Sequence, residues 1–581
     1  MQTASPATST WTDANSVGNR RFRDSLTTST VVQGTLRVSD VGWEIETADG
    51  AVVTTQPNAA TRFEQQLTDG GSTCEMGCIE DGDSVVAEIV FYAGSAESTI
   101  LKLRSFGGAS RPDPITVPAF HAAAAQRSAD FWLKSQDPQG GVFANLMVGG
   151  GPVPESDRHD KWTTMTSRNV AGNAFAFQLT GKPEYLEAAR SAAQFLAERG
   201  TIECRGKSFL KSRQLRDGST HPAADPLLNI FEQTYGILGW LRLYAVSGDP
   251  DVQRLLGDSL NALASFRDPV HGGLYDAIEP STLEPVAGTT DTKSFTSSAD
   301  VSAAVLQFAT ELGLSSAALS PRESMLEVAR LLVEHHVLPE RAAIAESFDR
   351  DWLPNTSDWR NPYATVDLAG NLGATAKVGR MLIAALPWLD APARERTLDA
   401  VRGLVDNLMS VGAWDSIRGA AYDVISRESP TGQPGEFVYH SNYVWWVQEQ
   451  FVILGYLGWF MFGERRLLEM ARSILRFWHT CFVCPSGGVY DTVDHQGNPV
   501  ELRMARWVKN SLHELELPYF AAAMESIASG EPLMQFFTTA GANIGAGALP
   551  TVPGYAWREL ERESNGKDVV RITFQAEPTQ S

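Results

Sequence analysis

Two hydrophobic periods divide this chain. Between residues 31 and 116 apolar and polar positions alternate in short runs, TLRVSDVGWEIET, AVVTTQ, SVVAEIVFYAG and STILKLRSF, separated by Asp-Gly at 49–50 and 69–70 and Gly-Gly at 70–71. A period of two bounded by turn-formers predicts half-buried strands, here an N-terminal antiparallel β domain of sandwich type over 31–116. Pro112, Pro114 and Pro118 mark a linker, and from Phe120 the period is helical to about residue 528, which places a helical domain at 117–529. Residues 530–581 return to alternation. Asn565-Gly566 in ELERESNGKDVVRITFQAE predicts a β-hairpin extension there, placed against the N-terminal strands. Residues 1–30, rich in Ser, Thr and Asn, are expected to be flexible.

The helical pattern repeats. A Gly-led loop with an aromatic recurs as GGVFAN (140–145), GGLYDA (272–277), RGAAYDV (418–424) and GGVYDT (487–492). Helices such as FAFQLTGKPEYLEAARSAAQFL and LGWLRLYAVSGDPDVQRLL contain a Gly stop followed by a Pro-led restart, the chemistry of two antiparallel helices joined tightly. Helix pairs either stack into an open solenoid or close on themselves. Six pairs fit the available length. Stretches 166–178 and 443–457 are apolar nearly all round, as helices packed on both sides require. The expected fold is therefore mainly α, an (α/α)6 barrel with two β appendages.

Composition narrows the partners. A net charge of -21 excludes a nucleic-acid backbone or an anionic membrane surface as the main partner. No apolar run is long enough to span a bilayer. The opening MQTASPATST lacks a basic stretch before an apolar one, so the expectation is a cytoplasmic protein without a secretory signal. Five cysteines over a long chain read as reduced thiols, and the pairs Cys74/Cys78 and Cys481/Cys484 as incidental. No HExxH, paired-carboxylate or Walker spacing occurs, so neither a metal nor an organic cofactor is expected. The oligomeric state stays open.

If alternate helices line a ring, their first turns face one mouth. Arg168, Tyr235, Asp300, Asn371, Trp445 and His513 stand there, 67, 65, 71, 74 and 68 residues apart. Helix N-termini add unpaired N–H groups, which suit the oxygens of a sugar or an acid. Glu232 lies one turn before Tyr235. Trp445 and Trp446 are adjacent, so at most one is expected to face the cavity, where aromatics stack on sugar faces. Lys161 and Lys293 lead into inner helices and are candidate anion binders.

KWTTMTSRNVAGNAFAFQLTGKPEYLEAA (161–189), GGLYDAIEPSTLEPVAGTTDTKSF (272–295), VWWVQEQFVILGYL (444–457) and GGVYDTVDHQGNPV…WVKNSLHE (487–514) resemble the N-acylglucosamine 2-epimerase superfamily, which includes cellobiose 2-epimerases and mannose isomerases. The resemblance implies proton transfer at the carbon beside an aldehyde, through an enediolate. It assigns a base to His513, approached by Trp507 and Lys509, and enediolate stabilisation to Arg168. Departures are equally specific. Asn371 stands where the second family histidine belongs and Ala374 where a glutamate belongs. Gln450 takes the place of the tenth-helix glutamate, with Glu449 one position earlier, and Glu516 takes that of an arginine after the twelfth-helix histidine.

A one-base isomerase, a site rearranged around His440, or other chemistry stay open. The leading expectation is a carbohydrate-active epimerase or isomerase acting on a small sugar or oligosaccharide. His513, Arg168 and His440 are its catalytic candidates, and Tyr235, Glu232, Asp300, Asn371, Trp445, Trp446, Glu449 and Lys509 its binding candidates. The alternatives are a glycoside hydrolase or polysaccharide lyase using Asp300 or Glu449 with His513, and a non-catalytic glycan-binding barrel.

Overall fold

A computed structural model describes residues 28–39, 42–67, 70–92, 98–151, 160–338, 343–355, 370–426, 438–439, 442–564 and 568–579. Strands β1 (Thr28–Ser39), β2 (Gly42–Glu46), β3 (Val52–Leu67), β4 (Gly70–Cys74), β5 (Ser84–Phe91) and β6 (Ser98–Ser105) form the N-terminal region. All six belong to one sheet, ordered β2-β1-β5-β6-β3-β4, and not to the two stacked sheets of the expected sandwich. The reason is the length of β3. Its start pairs with β2, its remainder with β6 in parallel and β4 antiparallel, so the pairings run in a circuit. Leu36, Ile45, Val85, Ile89, Ile100 and Leu103 fill the inside. The cysteine expectation also needs correction: a single turn, Met76–Cys78, brings Cys74 and Cys78 to a Cα separation of 6.3 Å, and they form a disulfide. Cys204, Cys481 and Cys484 are free and buried.

Twelve α-helices follow among the described residues: α1 (Pro118–Trp132), α2 (Thr163–Thr180), α3 (Pro183–Arg199), α4 (Ile230–Ser247), α5 (Pro250–Leu263), α6 (Ser302–Glu311), α7 (Pro321–Leu331), α8 (Leu372–Ala385), α9 (Ala391–Ser410), α10 (Trp445–Phe462), α11 (Arg465–Phe477) and α12 (Ser511–Ser529). Even-numbered helices are buried on every side; in α2 only the last residue escapes burial. Odd-numbered ones bury a stripe, as with Leu467, Met470, Ala471, Ile474 and Leu475 of α11. Left-handed glycines end α2 and α4 at Gly181 and Gly248, and the next helix restarts on Pro183 or Pro250. A side chain at Gly181 would also strike the Phe536 ring at 2.5 Å.

Contacts among the even helices run α2–α4–α6–α8–α10–α12 and return to α2. A second circuit lies at their N-terminal ends. The segment leading into each even helix, or the loop just ahead of it, pairs antiparallel with its counterpart ahead of the next: 160–162 with 213–215, 228–229 with 277–278, 293–294 with 347–348, 370–371 with 424–426, 442–444 with 492–494, and 503–505 back to 146–147. The Gly-led loops carry a buried aspartate that anchors this rim. Asp137 takes the Lys161 ammonium at 2.7 Å and Asp268 that of Lys293 at 2.9 Å. Both lysines are fully buried, so they are structural and not the anion binders their position suggested.

The N-terminal sheet docks beside α11, where Arg104 donates to the His479 carbonyl at 2.6 Å and Arg418 to Thr30 at 3.0 Å. The C-terminal strands β7 (Leu533–Thr538), β8 (Tyr555–Ser564) and β9 (Val569–Pro578) form a separate sheet ordered β7-β9-β8. It packs on α2, α4 and α12 instead of on the N-terminal strands. Residues 549–551 line the interior of the ring at that end. The Asn565-Gly566 turn lies outside the described residues. No described helix is long and apolar enough to cross a membrane.

Burial leaves several histidines unprotonated. His121 is pushed down to about 4 and His336 to about 3, chiefly by desolvation. An unfolded chain would take up these protons near the ordinary value of about 6.5, so stability is full above that pH and drains away as pH falls. For His121 the loss amounts to about 3 kcal/mol by pH 4. The urea midpoint is expected to drop between pH 7 and 4, with His121→Asn flattening the slope; a pH-independent midpoint would contradict this.

Candidate active site

The even helices bring a charged cluster together inside the ring. On α12, His513 Nδ1 lies 2.5 Å from Glu449 Oε2 of α10 and 4.0 Å from Glu516 Oε2. Gln450 Nε2 donates to the same Glu449 oxygen at 2.7 Å. Arg380 of α8 donates to Glu516 at 2.6 Å and to Gln450 Oε1 at 3.2 Å. Arginine only donates, so it fixes the Gln450 amide with its oxygen toward Arg380 and its NH₂ toward Glu449. Glu449 Oε2 then accepts from Gln450, and the His513 ring is held with Nδ1 against that oxygen and Nε2 on its far side.

One turn earlier on α8, Lys377 Nζ lies 2.5 Å from Asp300, the last residue of a π-turn ahead of α6. Tyr235 of α4 donates to the same carboxylate at 3.4 Å. The Arg168 guanidinium of α2 stacks 3.5 Å from the Tyr235 ring centre and 5.2 Å from that of Phe231, and donates to the Val508 carbonyl at 2.8 Å. Trp445 and Trp446 both approach His513, with ring centres 6.1 and 6.5 Å away, although the sequence reading allowed only one of them at the cavity. Adjacent helical residues are about 100° apart, which still lets two large indoles flank one imidazole. At the rim, half-exposed Trp507 stacks on Trp162 at 5.3 Å.

Electrostatics follow from this packing. Burial, with Lys377, Arg168 and Arg380, holds His513 well below the usual imidazole range, outweighing Glu516. Burial pushes the Glu516 carboxyl up, but Arg380 and the neighbouring Glu449 hold it ionised and well below the ordinary range. Glu449 is driven well above it by burial and by Glu516. The Lys377 ammonium is kept charged because Asp300 and Tyr235 outweigh its desolvation. Burial raises Glu232 to about 7, with Arg168 opposing and Asp225 adding to the shift.

Among the described residues, buried polar atoms without a hydrogen-bond partner at this end of the helices include Arg168 Nε, Glu232 Oε2, Ser298 Oγ and Trp445 Nε1. Ligand atoms of Glu449, His513 and Glu516 lie within 4.8 Å of one another, a grouping with no sequence spacing to announce it. The Arg380 guanidinium already neutralises Glu516, and Lys377 depresses His513, so the cluster is poorly suited to a cation.

Other candidates fall elsewhere. Asn371 caps α8, its side chain accepting from Ala374 N at 2.9 Å. His440 lies outside the described residues. Lys509 is fully buried in an ion pair with Glu514, which also accepts from Ser128 and Trp132. It stands where Lys161 and Lys293 stand in their repeats. Cys484 occupies the loop position of Asp137 and Asp268, so the carboxylate partner comes from α12 instead. Lys509→Met is therefore expected to destabilise the protein by about 3 kcal/mol, the effect of stranding a buried carboxylate, and to leave substrate KM unchanged; a raised KM at unaltered stability would restore its binding role. Sequence reading missed Lys377 and Arg380. Their signal was present: two cations three residues apart on an otherwise apolar helix, LGATAKVGRMLIAA.

No protein-family model matches the chain. No curated protein sequence matches it either. Among solved structures, the cellobiose 2-epimerase of Spirochaeta thermophila is similar with a TM-score of 0.58 at 20% identity, covering 70% of this chain and 97% of that one. The chain shares the cellobiose 2-epimerase fold. The enzyme of the same name from Bacillus thermoamylovorans gives 0.57 at 14%, covering 70% and 99%. A D-mannose isomerase gives 0.55 at 17%, covering 71% and 100%.

Proposed function

We propose that this protein is a sugar isomerase or epimerase built on an (α/α)6 barrel, with His513 as the base that removes the proton at C2 of an open-chain aldose. The observation that carries the reading is the bond from His513 Nδ1 to Glu449 at 2.5 Å. It orients the ring, and in this reading the proton sits on Nδ1 and Nε2 is the acceptor. A base must be unprotonated at working pH, and burial together with the cations around His513 keeps it so. The same cations answer the second need of the reaction. Negative charge grows on the sugar oxygens as the C2 proton leaves, and preformed donors stabilise it more in the transition state than in the ground state. Arg168, whose Nε has no hydrogen-bond partner among the described residues, fills that role.

Asn371 in place of the family's second histidine favours a single carbon-proton shuttle, C2 to C1, which yields a ketose. The stacked Trp162 and Trp507 offer an apolar face to a sugar ring at the rim. The fold shared with cellobiose 2-epimerases and D-mannose isomerase supports these sugars as the first to try. Incubation with D-mannose and with cellobiose, followed by proton NMR, is expected to show ketose formation. Release of new reducing ends from an oligosaccharide would point to hydrolysis instead and overturn the proposal.

A further inference from the structure

We infer that Glu232 is the second proton-handling group of this site, passing a hydroxyl proton between O1 and O2 of the sugar while His513 moves the carbon-bound one. The inference rests on the isomerase reading above. Glu232 sits at the third position of α4, where a glutamate normally reaches back to the backbone N–H of the capping residue. Here the cap is made by Asn229, whose side chain accepts from Phe231 N at 3.0 Å. Glu232 is 9% exposed; its carboxyl takes its own backbone N–H, and Oε2 has no hydrogen-bond partner among the described residues. A buried carboxyl with an unused oxygen is unfavourable unless something outside the fold meets it.

Its surroundings place it beside Arg168. Phe231 and Tyr235, its sequence neighbour and the residue one turn on, hold the Arg168 guanidinium assigned to the enediolate. The charged groups acting on Glu232 are Arg168 from α2 and Asp225 ahead of α4, while Asp300 and Lys377 meet Tyr235 on the next turn. With its proton leaving at about 7, the group can give and take within the neutral range.

The balance closes. His513 takes the C2 proton, the C–H pair forms C1=C2, and the carbonyl pair moves onto O1, which receives the Glu232 proton. The resulting carboxylate takes the O2 proton, the O–H pair forms C2=O, and C1 recovers the proton held by His513. Both side chains end as they began.

The test is Glu232→Gln, which keeps size and removes the proton. Its kcat for aldose-to-ketose conversion is expected to fall by about 10²- to 10⁴-fold with KM nearly unchanged. In D₂O the recovered aldose should still gain deuterium at C2, because His513 continues to act. Wild-type kcat should also decline above pH about 7 as Glu232 ionises. A variant with wild-type kcat and partition overturns the inference alone, as does a wild-type profile without that decline should the variant fail to fold. A wild-type enzyme that neither exchanges nor isomerises overturns it together with the proposed function.

Discussion

His513→Gln lowers kcat by about 10²- to 10⁴-fold, the range associated with loss of a positioned general base, and does so with little loss of stability. Glutamine keeps a donor for Glu449 and fills most of the imidazole volume, so the Gln450–Arg380–Glu516 chain has no reason to collapse. What disappears is the lone pair at Nε2. The pH profile separates this account from a merely structural histidine. With His513 held below the ordinary imidazole range, wild-type kcat/KM retains its value as pH falls through about 6.5 and declines only at lower pH. An acid limb centred near the ordinary value would mean that the base is exposed and lies elsewhere.

Arg380→Met is the substitution with the largest expected effect on the fold. It removes a guanidinium that is 8% exposed and leaves the Glu516 carboxylate buried with no cation on it. Breaking such a pair from one side destabilises by about 3–5 kcal/mol, because the stranded charge keeps its desolvation penalty. Gln450 loses its donor as well, so its amide becomes free to turn away from Glu449. Adding Glu516→Leu should restore most of the stability, since an apolar pair of similar volume removes the penalty, while activity stays low. Urea unfolding of the two variants decides the point. A single-variant loss under about 1 kcal/mol would show that Glu516 takes up a proton or reaches water.

The helical periodicity told most of the architecture because even helices are apolar on all sides and their ends carry glycine and proline, local signals with local causes. The mouth positions Arg168, Tyr235 and Asp300 were legible for the same reason: each repeat enters its inner helix alike. Lys509 misled because a lysine two residues ahead of an inner helix looks solvent-facing in sequence. Its partner Glu514 replaces an aspartate that became Cys484, an exchange visible only in space. Glu449 and Glu516 posed the reverse problem. Read singly they look like losses of family residues, yet Arg380 supplies from α8 the cation missing from α12. The N-terminal sheet was read as a sandwich because alternation reports which face is buried, and says nothing about which strand a long β3 will pair with at each end.

Incubating the enzyme with D-mannose in D₂O and following the C2 proton by NMR tests the central claim most directly. The account predicts loss of that signal with wild-type protein and its retention with His513→Gln at an unchanged melting temperature. Equal loss of the signal in both proteins would contradict it.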